Sequence, residues 1–232
     1  MTDPTLAQRV TAEAVGTGVL VAVVVGSGIA AQRLSPDDTG LQLLENAIAT
    51  GAGLVALILA FGSVSGAHFN PVVTLADRLF GGMTTTAAIA YAAAQLVGAC
   101  VGAVVANLMF ELDAVTLSTH TRSAGALWLG EAVATFGLLM VILGIVRSGR
   151  TSAAPFAVGG YITAAYWFTS STSFANPAVT VGRTLTDTFA GIAPSSAPAF
   201  VAAQVVGGLI AVALARFLYP SLDADDVVVP HG

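Results

Sequence analysis

The sequence predicts an all-α membrane protein with six transmembrane helices and two re-entrant half-helices, built as an inverted repeat. Three observations predict it. The chain is 56% hydrophobic and 9% charged, with a mean hydropathy of +0.85, whereas soluble domains carry roughly 25% charged residues. Six apolar stretches, near residues 10–31, 43–63, 84–109, 124–146, 153–170 and 197–218, approach or exceed the roughly 20 residues that a bilayer core requires. Finally, Ser65-Gly-Ala-His-Phe-Asn-Pro-Val-Val-Thr74 and Ser171-Thr-Ser-Phe-Ala-Asn-Pro-Ala-Val-Thr180 share an Asn-Pro-x-Val-Thr core.

The first stretch is read as a retained span and not a signal peptide, because its head carries Asp3 as well as Arg9 and Glu13 interrupts the apolar run. After the second span comes the first Asn-Pro. Asn caps free helix N–H groups and Pro at the first helical position has no N–H to leave unpaired, so Asn70-Pro71 and Asn176-Pro177 each open a helix. Each is too short to cross, so its start lies at membrane depth. Non-helical backbone there is tolerated only where protein buries it or water lines it, which points to an aqueous path. With six spans and little chain left over, the molecule reads as one domain, residues 1–232, ending in a short acidic tail at Asp223, Asp225 and Asp226. If the N-terminus is cytoplasmic, the inner side holds Arg9, Arg78, Arg147, Arg150 and Arg216, against Arg33, Arg122 and Arg183 outside. That follows the positive-inside rule, with both termini in the cytoplasm of a cell bounded by its plasma membrane.

The repeat extends beyond the half-helices. Glu13-Ala-Val-Gly-Thr-Gly-Val-Leu20 matches Glu131-Ala-Val-Ala-Thr-Phe-Gly-Leu138, and Ala94-Gln-Leu-Val-Gly-Ala99 matches Ala203-Gln-Val-Val-Gly-Gly208. Repeat one covers about residues 8–110 and repeat two about 124–219. Three spans per copy is odd, so the second copy is inverted and the functional site falls near the midplane between the copies.

Together the paired Asn-Pro motifs, the Ser-Gly-Ala-His lead-in, the Glu-Ala-Val starts and the Ala-Gln-x-Val-Gly patterns resemble the aquaporin, or major intrinsic protein, family. The resemblance implies a right-handed bundle and a homotetramer with one pore per subunit. The pore chemistry follows from the residues. Each Asn carbonyl oxygen caps its own half-helix, leaving the amides of Asn70 and Asn176 as donors to one passing molecule. Two helix starts also aim roughly +0.5 charge each at the same point, a barrier to cations and protons.

Departures from the family pattern bear on the solute. Val72 stands where the first motif usually has alanine. Val179 stands where most members place an arginine after the second motif. Counted without gaps, the resemblance puts the other filter positions at Thr50, Ala164 and Ser173. Such a filter is small, uncharged and ringless, wider than a water or glycerol filter, with two hydroxyls for a hydroxylated solute. It resembles a bacterial subgroup associated with arsenic resistance, implying arsenite and methylated arsenicals as solutes.

The remaining polar residues have two readings each. Glu13 and Glu131 are either proton carriers or structural acids that bind loop backbone, and their symmetric placement favours the second. His68 either lines the inner vestibule as a neutral ring or titrates as a gate. Arg183, four residues past Val179, either supplies part of the missing filter charge at the outer mouth or snorkels to the interface and pairs with Asp187. His120 and His231 lack clustered carboxylates or thiols, and Cys100 is a lone core thiol, so no metal site, cofactor or disulfide is expected. Gln95, Gln204, Gly98, Gly102, Gly207 and Gly208 read as close helix packing. The chain carries no nucleotide motif, no nucleophile constellation and no basic patch, which argues against an enzyme or a nucleic-acid binder. Its expected partners are neutral solutes and the lipid bilayer. A passive channel, a coupled secondary transporter and a scaffold with a vestigial pore remain, and an intact Asn pair fits the last poorly.

Overall fold

A computed structural model describes residues 3–220; the acidic tail and His231 lie outside the described residues. Among the described residues eight α-helices follow one another: α1 (Leu6–Leu34), α2 (Thr39–Ser65), α3 (Pro71–Phe80), α4 (Thr85–Met109), α5 (Gly125–Arg147), α6 (Ala154–Phe168), α7 (Pro177–Gly182) and α8 (Ala197–Leu218). Six of these cross the membrane, and α3 and α7 are the re-entrant half-helices. The starts are chemically marked. Thr5 and Gln8 form a reciprocal capping box on α1, Asp38 caps α2 through Leu41 N at 2.9 Å, and Thr84 caps α4 through Ala87 N at 3.2 Å. Gly66 and Gly81 end α2 and α3 in the left-handed conformation, at φ 83° and 93°.

The sixth span is shorter than the sequence suggests. Among the described residues five helices are long and apolar enough to cross by themselves, while α6 has 15 residues, about 22 Å at 1.5 Å per residue. A 3₁₀ turn at Thr151–Ala153 lengthens it at one end. At the other, Thr169 turns its hydroxyl back onto Ala165 O (2.7 Å) and adopts extended backbone, so the chain leaves the helix early to enter the second loop.

Small residues set the helix spacings, twice over. A Cβ on Gly98 would lie 2.1 Å from Ala14 O and one on Gly102 2.1 Å from Gly18 O, so α4 rides directly on the α1 backbone. In the second repeat a Cβ on Gly207 would lie 2.2 Å from Ala132 O, which locks α8 on α5 the same way. Between the repeats, a Cβ on Gly159 would lie 2.7 Å from Gly51 O, bringing α6 against α2. Ile89, Leu129 and Phe217 face outward, as lipid-facing side chains do.

Candidate functional site: a central pore

Each re-entrant loop hangs on one buried glutamate. Glu13 Oε1 accepts Ser65 Oγ (2.6 Å) and His68 N (3.0 Å), while Oε2 accepts Phe69 N (2.7 Å) and Gln95 Nε2 (2.7 Å). Glu131 Oε1 accepts Phe174 N (2.8 Å), while Oε2 accepts Ala175 N (2.8 Å) and Gln204 Nε2 (2.6 Å). Both acids are fully buried. They face donors that would otherwise be orphaned at membrane depth, an arrangement that uses their charge as a backbone clamp. The loops need it, because Ala67, Phe69, Ser173 and Ala175 all take positive φ, from 48° to 51°, a region that non-glycine residues rarely occupy.

The clamps bring the two helix starts together. Asn70 Oδ1 accepts Val72 N at 3.0 Å, and Asn176 Oδ1 accepts Ala178 N at 2.9 Å and Val179 N at 3.2 Å. Each amide then donates to the other loop: Asn70 Nδ2 to Ala175 O (2.8 Å) and Asn176 Nδ2 to Phe69 O (2.7 Å). Sequence reasoning missed this cross-strap, which no motif could reveal because it joins residues about a hundred positions apart. One hydrogen of each amide is thereby spent on fixing the geometry, and each retains a second. Both Asn residues line a cavity of about 420 Å³. Its walls are mainly apolar and come from both repeats, with Leu20 and Val24 of α1 answered by Leu138 and Ile142 of α5.

Thr50, Ser173 and Val179 line that cavity, and so does His68, whose Nδ1 lies 3.1 Å from Thr74 Oγ1. Gln95 Nε2 donates to the same Thr74 hydroxyl at 3.0 Å. The hydroxyl hydrogen is therefore left for His68 Nδ1, which suits the tautomer protonated on Nε2.

Ala164 is not there. It lies on the exposed side of α6 beside the outward Trp167 and Phe168. The gap-free count thus lands on the wrong face of the helix. The cavity side of α6 is the stripe Val158, Ile162 and Tyr166, four residues apart, and Ala164 stands two residues, about 200°, from the last two. Tyr166 is 3% exposed and its hydroxyl lies 3.1 Å from Thr50 Oγ1. The region expected to be ringless therefore holds an aromatic ring with a polar tip. The signal was present in the sequence, since a tyrosine inside an apolar span needs a partner.

Arg183 departs from the second of its two sequence readings. It neither reaches the interface nor pairs with Asp187. It is 2% exposed, lines the cavity, donates Nε–H to Ala190 O and lies over the Phe174 ring, with Cζ 3.4 Å from the centroid. Asp187 instead accepts Thr119 N at 2.8 Å and lies 3.8 Å from His120 Nε2.

The sequence model for the major intrinsic protein family matches residues 1–175, stopping one residue short of Asn176. The aquaglyceroporin AqpS of Rhizobium meliloti (strain 1021) is 52% identical over 213 residues, covering 92% of this chain and 91% of that protein. The probable aquaporin AqpM of Archaeoglobus fulgidus is 30% identical over 242 residues, covering 92% and 98%. Among solved structures, the aquaglyceroporin from Plasmodium falciparum superposes with a TM-score of 0.75 at 19% identity, covering 94% of this chain and 99% of that one. With its paired half-helices, its glutamate clamps and these relatives, this multi-pass membrane protein belongs to the major intrinsic protein family.

Proposed function

We propose that the chain is a passive channel for small uncharged solutes, admitting metalloid hydroxides such as arsenite and methylated arsenicals together with glycerol and water. The observation that carries the reading is the pair of half-helix starts whose Asn70 and Asn176 amides are fixed by cross-loop bonds and still have a hydrogen each for the cavity. Dehydrating a solute in an apolar-walled passage is unfavourable unless donors replace its lost water. Two fixed donors between apolar walls do this for one oxygen at a time. The names of the two relatives, an aquaglyceroporin and a probable aquaporin, support the same class.

The metalloid preference rests on the constriction side of the cavity. There Thr50, Tyr166 and Ser173 offer hydroxyls and Val179 offers a small apolar wall. A pyramidal trihydroxide presents oxygens on three sides, which suits a ring of hydroxyls better than a single-file water does. No step in this function makes or breaks a covalent bond. In this reading the subunits form a homotetramer in the plasma membrane, and six crossings leave both ends of the helix set in the cytoplasm.

Proteoliposomes test it. Stopped-flow light scattering should show water, glycerol and arsenite permeabilities above those of empty vesicles, with no accompanying proton movement. Solute flux that follows an imposed proton gradient would replace the channel with a coupled transporter, and Glu13 and Glu131 would be its first suspects.

A further inference from the structure

We propose that Arg183 supplies the cationic donor of this filter from one helical turn beyond position 179, with Phe174 as the residue that holds it in place. The proposal rests on the channel reading above and names the determinant that separates neutral solutes from cations within it.

The geometry begins with side-chain direction. Helical side chains tilt toward the N-terminus of their helix, so a residue covers the turn before its own Cα. Arg183 follows directly on α7, four residues or about 6 Å past Val179. Its guanidinium accordingly lies back over Phe174, on the loop that leads into α7.

Burial and bonding then specify what the guanidinium does. Its plane lies over the Phe174 ring, which is itself braced edge-on by Phe200, with centroids 5.2 Å apart at 71°. The Nε–H goes to Ala190 O, yet Nη1 is buried and has no hydrogen-bond partner. Ser173 Oγ, on the residue next to Phe174, is buried and unpartnered too. Both side chains line the central cavity. A buried donor without an acceptor is costly, and the acceptor this proposal assigns to the guanidinium is an oxygen-bearing solute in the cavity that both side chains line. Among the described residues no carboxylate forms an ion pair with Arg183, and Glu131, the nearest repeat's buried acid, is committed to Phe174 N, Ala175 N and Gln204. The positive charge consequently acts on the pore, where it disfavours cations and offers planar donors to neutral oxygens.

The test compares Arg183→Gln, Arg183→Lys and Phe174→Leu with the unaltered protein in proteoliposomes, using water, glycerol, arsenite and methylammonium as probes. Arg183→Gln should raise the methylammonium-to-water permeability ratio by about tenfold or more, because the unit charge is gone. Arg183→Lys should keep methylammonium out while changing the arsenite-to-glycerol ratio, since an ammonium is a point charge without a planar fork. Phe174→Leu should change the same ratio in the same direction with the charge intact, which a merely structural ring would not do. If the Gln variant does not fold, the Lys and Leu variants decide. Wild-type ratios in every variant that folds would overturn the proposal. Absence of solute flux from the unaltered protein would instead overturn the channel reading itself.

Discussion

The two re-entrant loops have nearly the same backbone and different side-chain chemistry. Residues 106 apart correspond: Gly66, Ala67 and Phe69 take positive φ, and so do Thr172, Ser173 and Ala175. Ser65 Oγ accepts Ala67 N at 3.1 Å as Ser171 Oγ accepts Ser173 N at 3.2 Å, and Gln95 reaches Thr74 as Gln204 reaches Thr180. Where the copies diverge, His68 faces Phe174 as its counterpart and Asp77 faces Arg183. All four are buried, but Arg183 lines the cavity whereas Asp77 is turned away from it, packed against Gly82. The shared set builds the scaffold that places two helix starts at one point. The divergent set gives the passage a cationic side chain in one half and an imidazole in the other, which under the proposed channel function places selectivity in the broken symmetry.

The largest effect that can break this comparison is loss of a clamp. Glu13 holds four donors and Glu131 three. Leucine at either position leaves buried donors unpaired at about 1–3 kcal/mol each, a sum comparable to the whole stability of many domains. Glu13→Leu should abolish folded protein, judged by yield and elution volume in detergent, and Glu131→Leu should be nearly as damaging. Glu13→Gln should keep flux and fold at a lower yield, because its one carbonyl oxygen still accepts the donors on one side while its amide group faces those on the other. A Gln variant that folds normally and conducts nothing would return Glu13 to the role of proton carrier.

The next effect falls on charge. Asn70 and Asn176 can each be replaced by Asp without losing the capping oxygen. Each replacement removes the amide hydrogens that bond to Ala175 O and Phe69 O and adds a negative charge at the helix starts. The double variant should conduct small cations that the unaltered protein rejects, measured as methylammonium uptake or conductance. If cations stay excluded, the barrier lies elsewhere along the passage, and Arg183 is the remaining candidate.

What the sequence showed of this architecture follows from which interactions are local. Asn-Pro starts, capping residues and the spacing of Glu13 and Glu131 are short-range signals, and the clamps, the repeat and the half-helices were legible from them. The filter was less so. Span α6 is apolar on every side, so no hydrophobic stripe says which face meets the pore. A count carried back from Asn176 also had to cross the loop in which Thr169 ends the helix. Ala164 came out on the lipid side for that reason, and Tyr166 was overlooked. The two readings of Arg183 stayed open because spacing gives the position of its Cα and not the direction of a long side chain, which an aromatic partner and a loop carbonyl decide here.

A smaller change sharpens the role of position 179. Val179→Arg would add a second guanidinium within one turn of Arg183, with five donors and greater bulk. Arsenite and methylated arsenical permeability should fall by far more than water permeability, because the larger solute meets the steric loss directly while water can still file past. An equal fall for all three would mean a blocked pore, and no change would remove residue 179 from the filter.

The smallest expected effect lies outside the bilayer, where the loop after α7 is tied to the loop before α5. Asp187 accepts hydrogen bonds from the Thr119 backbone N–H and hydroxyl, with the His120 ring nearby, and these hold its carboxyl below the usual range of about 3.8. A carboxylate whose pKa is depressed on folding contributes stability above its unfolded pKa and loses it as pH falls through the lower folded value. The contribution is therefore complete at neutral pH and fades only below about 3.8. Because Asp187 is exposed, solvent screening keeps it under about 1 kcal/mol. Asp187→Asn should lower the melting temperature slightly at pH 7, with the gap narrowing as pH falls below about 3.8, while leaving the arsenite-to-water ratio unchanged. A change in that ratio would mean that the tie between these loops sets the position of Arg183 through Ala190, three residues past Asp187 and seven past Arg183.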